Sequence, residues 1–239
     1  MTKQINNHKK IGIIGGVGPQ ATAFIYQKII ELAQTKYLAE NNDDFPNLII
    51  ESVPIPDFIT DKSQIEEAKT MLIEATKALT AAGATKLCIG SNTVHILLED
   101  LSKETDIEFI SMITLVGKLC QSRNLKKVGL LGTPVLIESG MYVKELEKYG
   151  IETILPTEKQ LEIADRIIRG VIAGEQNEED KQAYIACLNE MFGKGAETII
   201  LACTELPLAL NYEALGNRTI NSDEVLAEGL VDYYYYSKN

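Results

Sequence analysis

The sequence has no tryptophan, only two histidines and only four cysteines among its 239 residues. Because the cysteines form no Cys-x-x-Cys pair and two histidines are too few for a compact zinc centre, we predict a cytoplasmic protein with reduced thiols and no metal. Basic residues number 23 against 34 acidic ones, and the net charge of −11 argues against nucleic-acid or anionic-membrane partners. No apolar run approaches the ~20 residues of a membrane span, and the polar N-terminal stretch shows no signal-peptide pattern.

Short apolar runs alternate with amphipathic stretches of helical length from residue 10 onward. The apolar runs predict strands at 10–16, 47–53, 86–91, 108–113, 127–133, 151–156 and 198–202. The amphipathic stretches predict helices at 19–36, 65–83, 158–174 and 178–194, and three more that begin near residues 93, 137 and 222. Strands separated by helices of this length predict parallel sheets built from βαβ units.

Two segments recur in the same order farther along the chain. "KIGIIGG" (10–16) matches "KVGLLGT" (127–133), and "GATKLCIGSNT" (83–93) matches "GAETIILACTE" (195–205) without a gap. Gly-Ala before a strand is common, but two ordered matches at nearly the same offset favour a duplicated architecture over chance.

We therefore predict an α/β protein of two pseudo-symmetric halves, each a parallel sheet flanked by helices. The first half comprises residues 1–113 and 217–239, and the second comprises 114–216. Two such halves bind ligands where the carboxyl ends of their strands meet, so we expect a ligand cleft between them. The second match aligns Ser91 with Cys203, and these two residues are expected on opposite walls of that cleft.

Both aligned residues follow a predicted strand and precede a predicted helix. Backbone N–H groups converge at such a point and the helix dipole favours an anion, so a thiol there should ionise more readily than its reference pKa of ~8.5 implies. The segments "SNT" (91–93) and "CTE" (203–205) add donors suited to a carboxylate. One wall could remove a proton from a bound acid and the other could return it from the opposite face, which is the geometry of racemisation.

The sequence resembles the aspartate/glutamate racemase superfamily of cofactor-independent racemases over essentially its whole length. The resemblance rests on "IGIIGGVGPQAT" (11–22), "SNTVH" (91–95), "ISMI" (110–113), "GLLGT" (129–133) and "ACTELPL" (202–208). It implies an amino acid as substrate, aspartate or glutamate by default, with no pyridoxal phosphate and no metal. It also makes a homodimer an expectation.

The same resemblance implies roles for individual residues. Cys203 would be a catalytic base and acid, and Ser91 would stand in place of the family's other catalytic cysteine. The groups implied to hold the substrate's α-carboxylate and amino group, or to line the floor of the site, are Asn92, Thr93, Thr133, Thr204, Gly15 and Gly16. From the residues themselves, His95 is expected to support the Ser91 wall, with a direct catalytic role as the alternative. Glu205 is expected to tune Cys203, with a first-turn acid favoured by the helix dipole as the alternative.

Three positions depart from the family's pattern. A serine hydroxyl is a much weaker acid than a thiol, so Ser91 predicts a strongly asymmetric or impaired reaction; the sequence does not distinguish a natural serine from an introduced one. Phe58 and Ile172 occupy the side-chain pocket where aspartate racemases carry arginine and lysine. Those cations would hold the side-chain carboxylate of an acidic substrate, so their absence weakens the expectation that the substrate is acidic.

Other interpretations remain open from the sequence. Ser91 could cap a helix, Cys203 could be a small core residue, and His95 could be a buried structural histidine. "GVGPQA" (16–21) fits a dinucleotide-binding fingerprint, although Pro19 removes an N–H that a phosphate would use. A single thiol on this scaffold could also decarboxylate a malonate-type acid, or the protein could bind a ligand without catalysis.

Overall fold

A computed structural model describes residues 8–58, 62–210 and 218–236 of the chain. In order along the chain, its strands are β1 Ile11–Gly15, β2 Leu48–Ser52, β3 Lys86–Ile89, β4 Phe109–Ile110, β5 Lys127–Gly132, β6 Glu152–Ile154, β7 Thr198–Ala202 and β8 Thr219–Asn221. The α-helices are α1 Pro19–Tyr37, α2 Ile65–Ala81, α3 Leu98–Ser102, α4 Met112–Ser122, α5 Pro134–Ser139, α6 Met141–Glu147, α7 Glu158–Ala173, α8 Glu178–Gly193 and α9 Ser222–Tyr235. Short 3₁₀ helices lie at Asn42–Asp44, Thr93–Leu97 and Leu206–Ala209.

The strands form two four-stranded sheets with the same strand order. One sheet has the order β2-β1-β3-β4 and the other β6-β5-β7-β8. Every paired strand in both sheets is parallel. The predicted fold class, α/β with two parallel sheets flanked by helices, is confirmed, and the strands that carry the recurring segments occupy equivalent places in the two sheets.

Two of the central strands, β1 and β7, are buried along their whole length because helices cover parallel sheets on both faces. All five residues of β1, "IGIIG", and all five of β7, "TIILA", are buried. Such strands read as continuous apolar runs rather than alternating patterns, which explains why they stand out in the sequence. The carboxyl ends of β1 and β3 lie side by side, as do those of β5 and β7.

The chain divides into two compact units. The first contains the described residues of Met1–Pro56, Ile65–Met112 and Asp223–Asn239. The second contains those of Asp57–Gln64 and Ile113–Ser222. Each unit holds one of the two sheets.

Three elements differ from the predicted ones. The run predicted as a strand over 108–113 contains only the two-residue β4, and helix α4 begins at Met112. The helix predicted near residue 137 is two helices, α5 and α6, because Gly140 between them adopts a left-handed conformation with φ of 65°. Strand β8 was not predicted, because its three residues are too few to show a pattern.

Across the three described ranges, none of the helices is both long enough and apolar enough to cross a membrane.

Candidate functional site

In the first unit, Ser91 lies in a turn at the carboxyl end of β3. The backbone N–H of Gly90, the residue before it, donates to the carbonyl of Ile14 in β1 at 2.9 Å. Ser91 is 6% exposed, and Asn92 and Thr93 beside it are also buried. The residue that caps the following 3₁₀ helix is Asn92, without a side-chain capping bond. Ser91 is therefore not the helix cap that one interpretation of the sequence expected.

His95 connects this turn to the start of helix α4. Its Nδ1 lies 2.7 Å from the carbonyl oxygen of Ser91, and its Nε2 accepts a hydrogen bond from the backbone N–H of Met112 at 3.2 Å. Burial lowers the pKa of His95 to about 4, opposed in part by the bond to the Ser91 carbonyl. The imidazole is therefore neutral over the ordinary pH range.

The glycine turn after β1 lies beside the Ser91 turn, because β1 and β3 are neighbours in the sheet. A Cβ on Gly15 would lie 2.5 Å from Cγ2 of Thr22. Gly16 has a φ of +86°, and a Cβ there would lie 2.5 Å from the backbone nitrogen of Val53. Both positions thus require glycine for close packing, whatever further role they have toward a ligand.

In the second unit, Cys203 lies directly after β7 and forms a hydrogen-bonded group with its two following residues. Its Sγ donates to Oε2 of Glu205 at 3.1 Å, and the Thr204 hydroxyl donates to the same oxygen at 2.8 Å. Cys203 is 5% exposed and Glu205 is 3% exposed. The other carboxyl oxygen, Oε1, is buried and has no hydrogen-bond partner within the described residues. A thiol and an acid are thus held together inside the protein.

The helix expected after Cys203 is a four-residue 3₁₀ helix, Leu206–Ala209, and the one after Ser91 is a five-residue 3₁₀ helix, Thr93–Leu97. The macrodipole sums over aligned peptide groups, so such short segments contribute little of it. Within the described residues, a short 3₁₀ helix thus stands where an α-helix was expected after Cys203, and the group that contacts the thiol is the Glu205 carboxyl.

Thr133 occupies the place in the second unit that Gly16 occupies in the first, directly after its strand. The preceding residue, Gly132, pairs with Ala202 at the ends of the adjacent strands β5 and β7. Thr133 and Cys203 therefore both follow the carboxyl ends of neighbouring strands. The Thr133 hydroxyl caps helix α5 by accepting from the N–H of Leu136 at 3.2 Å. The structure thus brings Thr133 to the same sheet edge as the Cys203 turn.

Tyr184 on helix α8 supports the Cys203 turn and was not singled out by sequence reasoning. Its hydroxyl donates to the carbonyl of Leu206 at 3.4 Å, and it packs in the same buried cluster as Cys203. Burial raises its pKa well above the ordinary value, with smaller contributions from Cys187 and Cys203. Its spacing with the buried Cys187, Leu188 and Met191 on α8 marked it as a core residue, but that spacing carries no information about the turn it supports.

The two residues expected to form the side-chain pocket both belong to the second unit. Phe58 is 4% exposed, whereas Ile172, near the end of α7, is 40% exposed. One turn before Ile172, Arg169 pairs with Asp57 at 3.2 Å and with Asp165 at 3.0 Å. The cation nearest in sequence to Ile172 is thus already paired with two carboxylates.

Two other chemistries find little support among the described residues. Helix α1 begins with Pro19 after Gly18, so its first turn lacks one of the N–H groups that bind a dinucleotide phosphate. In the part of the chain that the structure describes, no three or more His, Cys, Asp or Glu side chains converge as metal ligands would.

The tyrosines of helix α9 have contacts within the first unit. Tyr234 is buried, Tyr235 stacks on Tyr37 with ring centroids 4.3 Å apart, and Tyr233 lies against Lys9. Lys9 also donates to the carbonyls at the end of α9. The tyrosine run therefore packs helix α9 against the rest of the first unit.

Comparison with known proteins agrees with this architecture. The broad specificity amino-acid racemase RacX of Bacillus subtilis is 28% identical over 224 residues, which cover 94% of this chain and 97% of that protein. The crystal structure of an aspartate racemase homologue from Pyrococcus horikoshii is 32% identical, with a TM-score of 0.78, and the match covers 95% of this chain and 100% of that one. The aspartate racemase of Picrophilus torridus is 27% identical, with a TM-score of 0.80 and coverage of 95% and 94%. Residues 14–228 match the sequence model of the family described as Asp/Glu/hydantoin racemase, and the chain belongs to that family.

Proposed function

We propose that this protein is an amino-acid racemase that uses neither pyridoxal phosphate nor a metal. It inverts Cα by removing its proton on one face and returning a proton on the other. The observation that carries the proposal is the buried hydrogen bond between Cys203 and Glu205, in a chain of the Asp/Glu/hydantoin racemase family. A thiolate is a competent base toward a carbon acid, and a thiol is a competent acid toward the resulting carbanion.

Glu205 is the acceptor of the thiol proton in this mechanism. The S–H bond of Cys203 breaks as an O–H bond forms on Glu205. The thiolate then takes the Cα proton and leaves a carbanion that the substrate's own α-carboxylate stabilises. In the reverse direction the thiol returns its proton to Cα. The thiol proton passes to Oε2, the carboxyl oxygen that also accepts from the Thr204 hydroxyl, whereas Oε1 accepts no hydrogen bond within the described residues.

Ser91 serves the opposite face of Cα, directly or through a water molecule that it orients. Its O–H bond, or that of the water, breaks as the new C–H bond forms. Solvent then restores this proton and takes up the proton that Glu205 holds, which returns both turns to their starting state. Because a hydroxyl is a far weaker acid than a thiol, this half of the reaction is slower. We therefore expect one enantiomer to lose its α-proton much faster than the other. The mechanism requires the substrate to reach both turns.

The remaining polar groups bind the substrate's α-carboxylate and amino group. We assign this role to Asn92 and Thr93 beside Ser91, and to Thr133 and Thr204 beside Cys203. Each is buried at the carboxyl end of a central strand, where hydroxyl, amide and backbone N–H donors are concentrated. The glycines of the β1 turn let a ligand approach the backbone closely.

The substrate is an amino acid, with aspartate and glutamate as the first candidates from the family. Phe58 and Ile172 are apolar, and Arg169 is engaged with Asp57 and Asp165, so this region supports an uncharged side chain at least as well as an acidic one. The RacX relative carries the description of broad specificity. We therefore extend the candidate substrates to amino acids with small uncharged or apolar side chains.

The test is proton exchange at Cα in D₂O, followed by ¹H NMR, for the L and D forms of aspartate, glutamate, alanine, serine, leucine and methionine. Chiral chromatography of the same samples measures inversion. We expect exchange and inversion of at least one amino acid, with unequal initial rates for its two enantiomers. Equal rates for the two forms would contradict the role of Ser91 as the weaker partner.

Two other results would replace the proposal. Release of CO₂ from a panel of malonates, without exchange of any amino acid, would assign a decarboxylase that protonates an enolate with its single thiol. Ligand-induced thermal stabilisation without any exchange would assign a binding protein.

A further inference from the structure

His95 is the buried side chain beside Ser91 whose two ring nitrogens are both engaged. Nδ1 faces the carbonyl oxygen of Ser91 at 2.7 Å, and Nε2 faces the backbone N–H of Met112 at 3.2 Å. The ring is 4% exposed, so bulk water does not compete for either nitrogen.

These two partners determine the tautomer of the ring. A backbone N–H can only donate, so Nε2 must present its lone pair to Met112. A carbonyl oxygen can only accept, so Nδ1 must carry the proton that bonds to Ser91. The neutral Nδ1–H tautomer satisfies both contacts, whereas the imidazolium would bring a second N–H against the N–H of Met112. Burial acts in the same direction by holding the ring neutral.

The two contacts join the Ser91 turn to a point where the chain passes from the first unit to the second. Met112 is the first residue of α4 and the last residue of the segment Ile65–Met112 of the first unit. Asn92 adds a backbone bond, since its carbonyl accepts from the N–H of His95 at 3.1 Å. The carbonyl of Ser91 is thus held by a ring that is itself anchored at both ends.

We propose that His95 is a positioning residue for Ser91: as a neutral Nδ1–H donor it holds the Ser91 carbonyl and, through it, the direction of the Ser91 hydroxyl. It transfers no proton to or from the substrate, because both ring nitrogens are engaged by the backbone. The inference about catalysis rests on the proposed function, while the tautomer and its two hydrogen bonds do not.

The tautomer is tested without any activity measurement. Long-range ¹H–¹⁵N NMR spectra of the ¹⁵N-labelled protein separate protonated from bare ring nitrogens, and a His8→Gln variant assigns the signals of the other histidine. We expect a protonated Nδ1 and a bare Nε2 for His95, unchanged from pH 8 to pH 5.5. A proton on Nε2, or a titration near the ordinary histidine value of ~6.5, would overturn the proposal.

The positioning role is tested with variants that keep one contact each. The side-chain N–H₂ of His95→Asn can replace Nδ1–H toward Ser91, whereas the carbonyl of His95→Gln can replace Nε2 toward Met112. We expect His95→Gln to slow α-proton exchange roughly tenfold for the enantiomer whose exchange Ser91→Ala slows most, and to leave the other enantiomer within about twofold. We expect His95→Asn to restore most of the lost rate.

A double variant separates positioning from general damage. In the Ser91→Ala background, His95→Gln should cause no further loss, because the hydroxyl it positions is gone. Equal slowing of both enantiomers, or a full further loss in the Ser91→Ala background, would show that His95 acts on the whole fold rather than through Ser91. If the unmodified protein exchanges no amino acid, the proposed function fails, and the NMR measurement still decides the tautomer and its anchoring.

Discussion

The Ser91 turn and the Cys203 turn occupy equivalent places in two sheets of identical strand order, yet their surroundings differ in chemistry. The Cys203 turn contains a thiol that donates to a buried carboxyl group. The Ser91 turn contains a hydroxyl residue whose carbonyl is held by a neutral imidazole. The first arrangement can accept and release a proton within the protein, whereas the second mainly provides a rigid position.

This difference extends beyond the exchange of sulfur for oxygen. In the aligned segments Glu205 corresponds to Thr93, so the residue that contacts the thiol in one unit has no acidic counterpart in the other. Replacing Ser91 by cysteine would therefore restore a thiol but not the carboxyl group beside it. Under the proposed function, the two faces of the reaction would differ both in the acidic atom and in the path that its proton takes.

The largest effect is expected when the thiol of the Cys203 turn is removed. Cys203→Ala should lower inversion of both enantiomers, and α-proton exchange of the enantiomer whose Cα–H faces Cys203, by at least ~10³-fold, because Cys203 is the group proposed to take and return that proton. Exchange in D₂O measures the loss. Cys120→Ala, a buried cysteine on helix α4, is the matched control and should keep most of the activity. Normal exchange by Cys203→Ala would end the assignment of this turn as catalytic.

Glu205→Gln should lower exchange by roughly 10- to 100-fold, because the amide keeps the shape of the side chain but cannot accept the thiol proton. Solvent must then ionise the thiol, so the remaining rate should rise steeply from pH 7 to pH 9. Glu197→Gln, an exposed carboxylate of the same unit that bonds to backbone N–H groups, should change neither the rate nor its pH dependence. A pH profile of Glu205→Gln parallel to that of the unmodified protein would remove the proton-acceptor role.

His95, which supports the Ser91 turn, makes the folding stability of the protein depend on pH. Its pKa is lowered by burial from 6.5 to about 4, so the unfolded chain binds its proton more readily than the folded protein does. Folding stability from this group is fully present above pH 6.5 and is lost as the pH falls toward 4, which gives a loss of about 2 kcal/mol between pH 7 and pH 5. Urea unfolding at the two pH values measures it. His95→Asn should lose that part of the pH dependence and His8→Gln should keep it; an identical dependence in all three proteins would contradict the buried neutral ring.

Ser91→Cys should raise exchange of the slower enantiomer about tenfold and bring the two rates closer, because a thiol is the stronger acid. The gain should remain incomplete, since Thr93 stands where the other unit has Glu205. Ser102→Cys on helix α3 is the control for an added thiol and should change neither rate. A Ser91→Cys protein with the original asymmetry would show that the difference between the turns lies elsewhere.

The smallest expected effect concerns the substrate side chain. Ile172→Lys places an ammonium group where the chain has an exposed apolar residue, and an exposed ion pair is worth about 0.2–1 kcal/mol. We therefore expect kcat/KM for aspartate to rise at most about fivefold relative to alanine. Leu155→Lys, 44% exposed on the same unit, is the control. An equal change in both variants would remove Ile172 from the side-chain pocket.

The strands of both sheet centres could be predicted because burial on both faces produces continuous apolar runs. Helix α7 was predicted nearly to its ends, since Thr157 and Gln160 form a capping box and Gly174 ends the helix in a left-handed conformation. Helix α4 was missed because a short apolar run such as "ISMITLV" is compatible with either a buried strand or a buried helix. Only packing decides between them.

The candidate site was predictable only in part. The alignment of Ser91 with Cys203 and the placement of both at strand ends could be read from the sequence. The bond between Cys203 and Glu205 could not, because residues two apart in a turn meet or separate according to local backbone angles. The contact of His95 with Met112 joins positions 17 residues apart and depends on where α4 begins.

The sequence by itself determined the α/β class, the parallel strands and the recurrence of two segments in the same order, because apolar runs and glycine turns are local signals of burial and chain direction. Only the tertiary structure decided that a carboxyl group lies against one reactive side chain and a neutral imidazole supports the other turn. The reason is that hydrogen bonds between buried polar groups require distances and directions that no residue pattern specifies.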